Sequence, residues 1–145
     1  MKLIFGGFVL AAMAGALWAR RRYVVVTVEG TSMAPTLSDG DRVLVRRRRI
    51  DQVSTGDVVV LEPPLTPAEI GPPGQDGRQW NIKRAVALPG DPVPPGIDDS
   101  VTRVPPGALV VLGDNTDSVD SRQRGFFDAD RLLGVALRRL GGPPL

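Results

Sequence analysis

The chain has 145 residues, which is enough for one modest domain with a single hydrophobic core. It contains no His and no Cys, which excludes thiol nucleophiles, disulfides, histidine bases and the commonest metal ligands. The formal net charge is +2, with arginine runs at positions 20–22 and 46–49. No RNA-binding pattern accompanies these runs, so they predict a membrane-flanking cluster and a solvated strand end rather than a nucleic-acid site.

The N-terminal segment, residues 3–19, is uncharged and mostly apolar, with the sequence LIFGGFVLAAMAGALWA. Its length is at the short end for a transmembrane helix, and Trp18 and the arginines after it are typical of a membrane interface. We therefore predict a membrane anchor with a basic flank over residues 1–22 and a β domain over residues 23–145. A cleavable signal peptide with a small-x-small site at 14–16 and a buried core helix are the alternatives.

The rest of the chain contains short runs of Val, Ile and Leu bounded by Gly, Pro, Asp or Asn, a pattern typical of strands. These runs are residues 23–29, 42–46, 57–62, 80–88, 108–112 and 132–139. Two Pro-rich stretches, 62–79 and 91–106, predict loops because Pro cannot serve a central strand. We predict an all-β domain of six to eight strands, folded as a barrel or a sandwich.

Two of the segments that could carry chemistry contain a serine and a lysine. Ser32 follows a predicted strand in a turn that Pro35 stiffens, and it is either a nucleophile or an ordinary turn serine. Strand alternation places Lys83 on one face with Ala85 and Ala87, where small neighbours leave room for a substrate. Apolar surroundings would lower the pKa of Lys83, because desolvation disfavours the charged form. The alternative is a surface lysine that extends into water.

A dense polar loop, residues 113–122, follows the predicted strand at 108–112 directly. Three Asp and one Asn fall within seven of its residues, which would also suit a metal loop, but the Gly-then-Glu ending of a calcium loop is absent. A fourth segment, residues 38–41, predicts a tight turn. We expect no metal and no other cofactor.

Taken in order, these four segments resemble the characteristic boxes of type I signal peptidases. The matching positions are 32–37, 40–43, 83–91 and 113–122. The resemblance extends over roughly residues 24–140, and the absence of a large second β domain is similar to the compact Gram-positive-type members. It implies a membrane-bound serine endopeptidase with a Ser/Lys dyad on an all-β domain, which removes signal peptides from exported preproteins. Preproteins and membrane lipid would be its partners.

The resemblance also implies roles for individual residues. Ser32 would attack the scissile carbonyl, Lys83 would be the general base, and the Ser32 backbone N–H would be one oxyanion donor. Ser118 would orient the Lys83 ammonium group, and Asp120 and Arg122 would form a supporting salt bridge. The walls of shallow pockets for small side chains, which would give an Ala-x-Ala preference before the cut, would be Val28, Met33, Leu37 and Ile82.

The sequence departs from the better-known members at two places. Gly30 stands where some members have a Ser that supplies the second oxyanion donor, which leaves that donor open. The loop between Asn115 and Ser118 is one residue shorter, which bears on the assignment of Ser118.

The orientation in the membrane is a point of conflict. Residues 20–22 favour a cytoplasmic main domain by the positive-inside rule, because only Lys2 and the α-amino group lie on the other side. Removal of signal peptides instead requires a catalytic domain on the extracytoplasmic side of the cell membrane, and this is the localisation we predict.

Three other functions are compatible with parts of the pattern. The first is a dedicated maturation protease that processes one precursor or leader peptide with the same dyad. The second is a self-cleaving repressor-type Ser/Lys protein, which the apolar anchor and the loop 113–122 argue against. The third is a catalytically inactive, membrane-tethered β binding module, which the presence of both Ser32 and Lys83 argues against.

Overall fold

The computed structural model of the chain describes residues 2–63 and 80–145. It begins with helix α1, Lys2–Arg22, whose last turn holds the arginines at 20–22. The helix ends where four consecutive residues, Tyr23 to Val26, favour extended backbone because they are aromatic or β-branched. The predicted helix is therefore present, but within the described ranges no helix is long and apolar enough to cross a membrane.

The described part of the domain is an antiparallel sheet, as the sequence predicts. Its strands stand in the spatial order β1-β2-β7-β3-β4-β5-β6. The strands are β1 Tyr23–Thr27, β2 Arg42–Arg47, β3 Val58–Leu61, β4 Asn81–Ala87, β5 Ala108–Leu112, β6 Phe127–Asp128 and β7 Leu132–Arg139.

Both faces of the sheet are covered, and β3 lies at its centre. All four β3 residues are buried, which fits an uninterrupted run of Val and Leu. Val58 and Val60 pack in one hydrophobic cluster with residues of β1, β2 and β4. Val59 and Leu61 pack in a second cluster with residues of β5 and β6. Strand β4 pairs with β3 and therefore lies well inside the sheet.

Two short elements were not predicted from the sequence. Strand β6 has only two residues and pairs with β5. Helix α2, Ser121–Arg124, is a single turn capped by Asp120, whose carboxylate accepts a hydrogen bond from the Arg122 backbone N–H. Of the two predicted loops, 91–106 contains turns and one isolated bridge between Pro92 and Arg103. Most of the other, 62–79, lies outside the described residues.

Candidate active site

Ser32 lies in the loop between β1 and β2, residues 28–41, which we call the serine loop. Met33 and Leu37 anchor this loop in the core, where both are almost fully buried. The base of the loop closes through Val28, whose N–H donates to Asp41 and whose carbonyl accepts from Gly40. Ser32 itself is half-buried. The buried side chains of Met33 and Leu37 and the closed base of the loop therefore fix the position of the Ser32 hydroxyl.

The Ser32 hydroxyl is directed towards strand β4. Its Oγ atom lies 3.5 Å from the carbonyl oxygen of Ile82, the residue before Lys83. Among the described residues, the Ser32 backbone N–H has no backbone acceptor. The N–H of Gly30, in contrast, donates to Asp39 Oδ1 at 2.7 Å. An N–H engaged with a carboxylate is not a free donor in this arrangement, and an oxyanion role for Gly30 stays a prediction.

Lys83 is buried in the sheet with only 3% of its surface exposed. Ala85 and Ala87 are buried on the same strand, in agreement with the predicted alternation, and Arg84 between them is partly exposed. The Lys83 Nζ atom donates a hydrogen bond of 2.7 Å to Ser118 Oγ. Burial lowers the pKa of Lys83, Asp120 acts in the opposite direction, and Arg124 and Arg122 lower it further. The net effect is a lowered pKa, which shifts the equilibrium towards the neutral amine, the form that can accept a proton.

Asp120 and Arg122 form an ion pair in the polar loop, residues 113–122. The Arg122 guanidinium contacts both carboxylate oxygens, with Nε 3.0 Å from Oδ1 and Nη2 2.7 Å from Oδ2. The Gly113 N–H also donates to Asp120 Oδ2. Asp120 is fully buried. Burial alone would raise the pKa of Asp120, but these hydrogen bonds hold it below its usual value, so the carboxylate is charged.

Gly113 is the point where the serine loop and the polar loop touch. A Cβ atom at this position would lie 2.3 Å from the Ser118 side chain and 2.5 Å from the Ser32 carbonyl oxygen. The same carbonyl accepts a 3.0 Å hydrogen bond from the Asn115 N–H, and the Asn115 side chain donates to the Thr31 carbonyl. Only glycine permits this approach, which brings Ser32 and the partner of Lys83 together.

The sequence analysis did not single out a second ion pair beside the site. Arg84 Nε and Nη2 donate to the two carboxylate oxygens of Asp114 at 2.8 and 2.7 Å. Thr36 donates to Asp114 as well, at 2.6 Å. The network ties the serine loop, the strand of Lys83 and the polar loop to one carboxylate. No local sequence pattern predicts this network, although its members all lie in the four segments that resemble the family's boxes.

The residues predicted as pocket walls are all core residues. Val28, Met33, Leu37 and Ile82 belong to the same hydrophobic cluster, and none is more than 5% exposed. They lie around the base of the serine loop. Their role in substrate binding stays a prediction, since buried side chains offer a substrate only a few exposed atoms.

The arrangement suits proton transfer between a hydroxyl and an amine. A serine hydroxyl stands beside a strand that carries a buried lysine, and a second hydroxyl holds the lysine nitrogen. Within residues 2–63 and 80–145, no group of acidic residues could hold a metal ion. A hydroxyl beside a strand with a buried amine is an arrangement that can support nucleophilic attack by an activated serine.

Comparison with known proteins assigns the family. A family model described as signal peptidase, peptidase S26, matches residues 1–98 and 94–140. The chain is 32% identical to the probable signal peptidase I-1 of Synechocystis sp., over 94% of this chain and 79% of that protein. It is 31% identical to signal peptidase I T of Bacillus subtilis, over 75% of this chain and 69% of that one.

A third relative comes from a eukaryote. Mitochondrial inner membrane protease subunit 2 of Mus musculus is 34% identical, over 82% of this chain and 67% of its own length. The fold and the matches define a serine endopeptidase of the signal peptidase I type. The chain belongs to the signal peptidase family, peptidase S26.

Proposed function

We propose that this protein is a membrane-bound signal peptidase that removes signal peptides from exported preproteins by a Ser32/Lys83 dyad. The observation that carries the proposal is the buried Lys83 amine, which donates a hydrogen bond to Ser118. Lys83 directly follows Ile82, the residue that the Ser32 hydroxyl contacts. A lysine on a soluble domain is normally exposed and charged. Burial at this place, in a chain without His, supplies the base that a serine nucleophile needs.

The reaction proceeds in two halves. Neutral Lys83 takes the proton of the Ser32 hydroxyl as its oxygen attacks the scissile carbonyl carbon, and the resulting ammonium gives a proton to the leaving amine. An ester between Ser32 and the signal peptide results. In the second half Lys83 takes a proton from water, the hydroxide attacks the ester, and Ser32 regains its proton from Lys83.

The neighbours of the dyad have supporting roles in this mechanism. Ser118 accepts from the Lys83 nitrogen and so directs it towards Ser32. Asp120 and Arg122 hold the polar loop behind Ser118, because their ion pair also fixes the Gly113 backbone. The Ser32 backbone N–H is the oxyanion donor of the site, and a second donor at position 30 would have to come from a rearranged backbone.

Substrate choice follows from the hydrophobic base of the serine loop. Small side chains before the cut, in an Ala-x-Ala pattern, suit a surface whose apolar residues expose only a few atoms. Val28, Met33, Leu37 and Ile82 would form this shallow surface. A larger side chain would have to displace core residues, which costs on the order of 1–3 kcal/mol for an overpacked core.

The location at a membrane rests on helix α1. Side chains along it that are large and apolar are more than half exposed, namely Val9, Met13, Leu17 and Trp18. Contiguous apolar surface of this kind favours lipid as its environment. We place the catalytic domain on the extracytoplasmic side, where signal peptides are removed, against the direction in which residues 20–22 alone would point.

The test is cleavage of a preprotein with an Ala-x-Ala site by the detergent-solubilised full chain. Ser32→Ala and Lys83→Ala are each expected to lower kcat/KM by at least about 10³, since members of such a catalytic unit act together. Ser54→Ala and Arg138→Ala, which change an exposed hydroxyl and an exposed cation, are the matched controls and should cleave normally. Mass spectrometry of the products locates the cut.

Two results would contradict the proposal. Near-normal cleavage by Lys83→Ala, with Ser32→Ala inactive, would exclude Lys83 as the base. No cleavage by folded wild-type protein would exclude a general signal peptidase and favour a dedicated maturation protease or, failing that, an inactive binding module.

A further inference from the structure

The two arginine runs, far apart in sequence, lie next to each other in the fold. Strands β1 and β2 are antiparallel, and Tyr23 is the register partner of Arg46. Arg22 directly precedes Tyr23, and Arg47 directly follows Arg46. Paired residues of neighbouring strands are about 5 Å apart between Cα atoms. Residues 20–22 and 46–49 therefore form one surface, which we call the arginine patch.

The arginine patch is strongly cationic, although Arg47 also lines a surface pocket with Glu62 and Asp130. It carries seven positive charges in a chain whose formal net charge is +2. Residues 20–22, Arg47 and Arg49 are exposed. Among the described residues, Arg49 of the patch forms an ion pair with Asp51, and these side chains are 87% and 65% exposed. Such an exposed pair contributes little, so Arg49 can exchange Asp51 for an external partner.

The patch is continuous with the apolar surface of helix α1. Trp18, two residues before the patch, is more than half exposed. The Arg22 guanidinium carbon lies 5.2 Å from the centre of the Trp18 ring, a cation–π arrangement. An apolar helix surface, then an aromatic residue, then a basic cluster is the order of environments met on leaving a bilayer.

We propose that the arginine patch binds the anionic headgroups of the membrane, so that the end of β2, residues 46–49, docks the domain onto the lipid surface beside α1. Arginine suits this ligand because its planar guanidinium donates two hydrogen bonds to one phosphate. The proposal rests on the membrane position of α1 in the proposed function. A nucleic acid would match the charge but would leave the adjoining apolar side chains of α1 uncovered.

The chain has no Cys, so one introduced cysteine can be labelled uniquely. Ser54→Cys is exposed and follows the patch closely, and it would carry a fluorescent donor. The labelled full chain is reconstituted into vesicles of phosphatidylcholine alone or with 30% phosphatidylglycerol, each containing a headgroup-labelled acceptor lipid. Energy transfer is then measured against salt concentration.

Two double variants remove equal charge from the same domain. The patch variant is Arg47→Gln with Arg49→Gln. The control is Arg42→Gln with Arg138→Gln, which are exposed residues outside the patch. Each basic residue near an anionic membrane surface strengthens binding to it. Loss of two such residues should therefore lower the equilibrium constant for docking about 30-fold, against at most about threefold in the control.

The proposal predicts greater transfer in anionic vesicles, loss of that excess with salt, and loss in the patch variant alone. Equal transfer in both kinds of vesicle, or equal loss in both variants, would overturn it. Patch-dependent binding of random-sequence RNA without any lipid dependence would overturn it in favour of a nucleic-acid surface. Cleavage in neutral detergent is measured separately, so failure of the protease assay and failure of docking are distinct results.

Discussion

Lys83 and the arginine patch are two basic regions of the protein that differ in their exposure to solvent. Lys83 is almost fully buried, and its direct partner is a neutral hydroxyl. The arginine patch is exposed at the junction of α1 with the sheet, and its ion pair is largely solvated. Burial lowers the pKa of the lysine, whereas the arginines stay charged.

The position of each strand in the sheet accounts for the difference. Strand β4 lies between β3 and β5, so both edges of its backbone are paired with neighbouring strands and shielded from water. Strands β1 and β2 stand at one edge, and β2 ends in a run that continues past the sheet into solvent. The residue types fit these places, since lysine loses its proton on desolvation far more readily than arginine does.

The strongest way to break the enclosure of Lys83 is to place a side chain at Gly113. Gly113→Ala would set a Cβ against Ser118 and the Ser32 carbonyl, and one of the two must move. Because displacement of about 1 Å in an active site can lower the rate about 10²-fold, we expect a kcat loss of that order or more. Cleavage kinetics with the preprotein substrate measure it.

Gly142→Ala is the control for this change. Its nearest obstacle is the flexible Arg139 side chain, so near-normal cleavage is expected. If Gly113→Ala were equally active, the contact between the serine loop and the polar loop would have no catalytic role.

Much of the region around Lys83 could be predicted from the sequence because its signals are local. Short β-branched runs gave the main strands, and alternation placed Lys83 with Ala85 and Ala87 on the buried side. The family boxes then supplied the partners of Lys83. Strand β6 and helix α2 were missed because elements of two and four residues are too short to show a period.

Tertiary contacts were the part that the sequence could not give. Arg84, Asp114 and Thr36 meet only when three separate segments are folded together. Gly30 stands at the position of the second oxyanion donor, which the sequence left open, and its N–H donates to Asp39, nine residues later. The arginine runs were each interpreted alone, because their union depends on the register of β1 with β2.

A smaller effect is expected from the charge behind the lysine. Asp120 raises the pKa of Lys83 against the larger lowering by burial. Asp120→Asn removes this attraction and leaves Arg122 and Arg124, so the pKa of Lys83 falls further. In the proposed mechanism the neutral amine is the active form, so the acid limb of the kcat/KM profile should move to lower pH. The pH dependence of cleavage measures this shift, separately from any loss of maximal rate.

Asp117→Asn, an exposed neighbour in the same loop, serves as the control and should leave the limb in place. A limb that stayed fixed or moved to higher pH in Asp120→Asn would mean that Lys83 is not the group that titrates there.

The most subtle consequence of burial concerns stability. The folded-state pKa of Lys83 lies below the usual lysine value of 10.5, so between these two values the unfolded chain binds more protons. The free energy of unfolding therefore rises with pH across this window, and each pKa unit of depression corresponds to about 1.4 kcal/mol at lower pH. Lys83→Met removes the cost of the buried amine and should be more stable than wild type near neutral pH. This advantage should shrink as the pH approaches 10.5.

Denaturant unfolding in detergent at a series of pH values measures the difference between the two proteins. Arg138→Met, which replaces an exposed cation, should track the wild type at every pH. An advantage of Lys83→Met that did not depend on pH would come from packing alone. It would mean that the lysine is charged in the folded domain, and the contrast with the arginine patch would then rest on exposure without any difference in protonation.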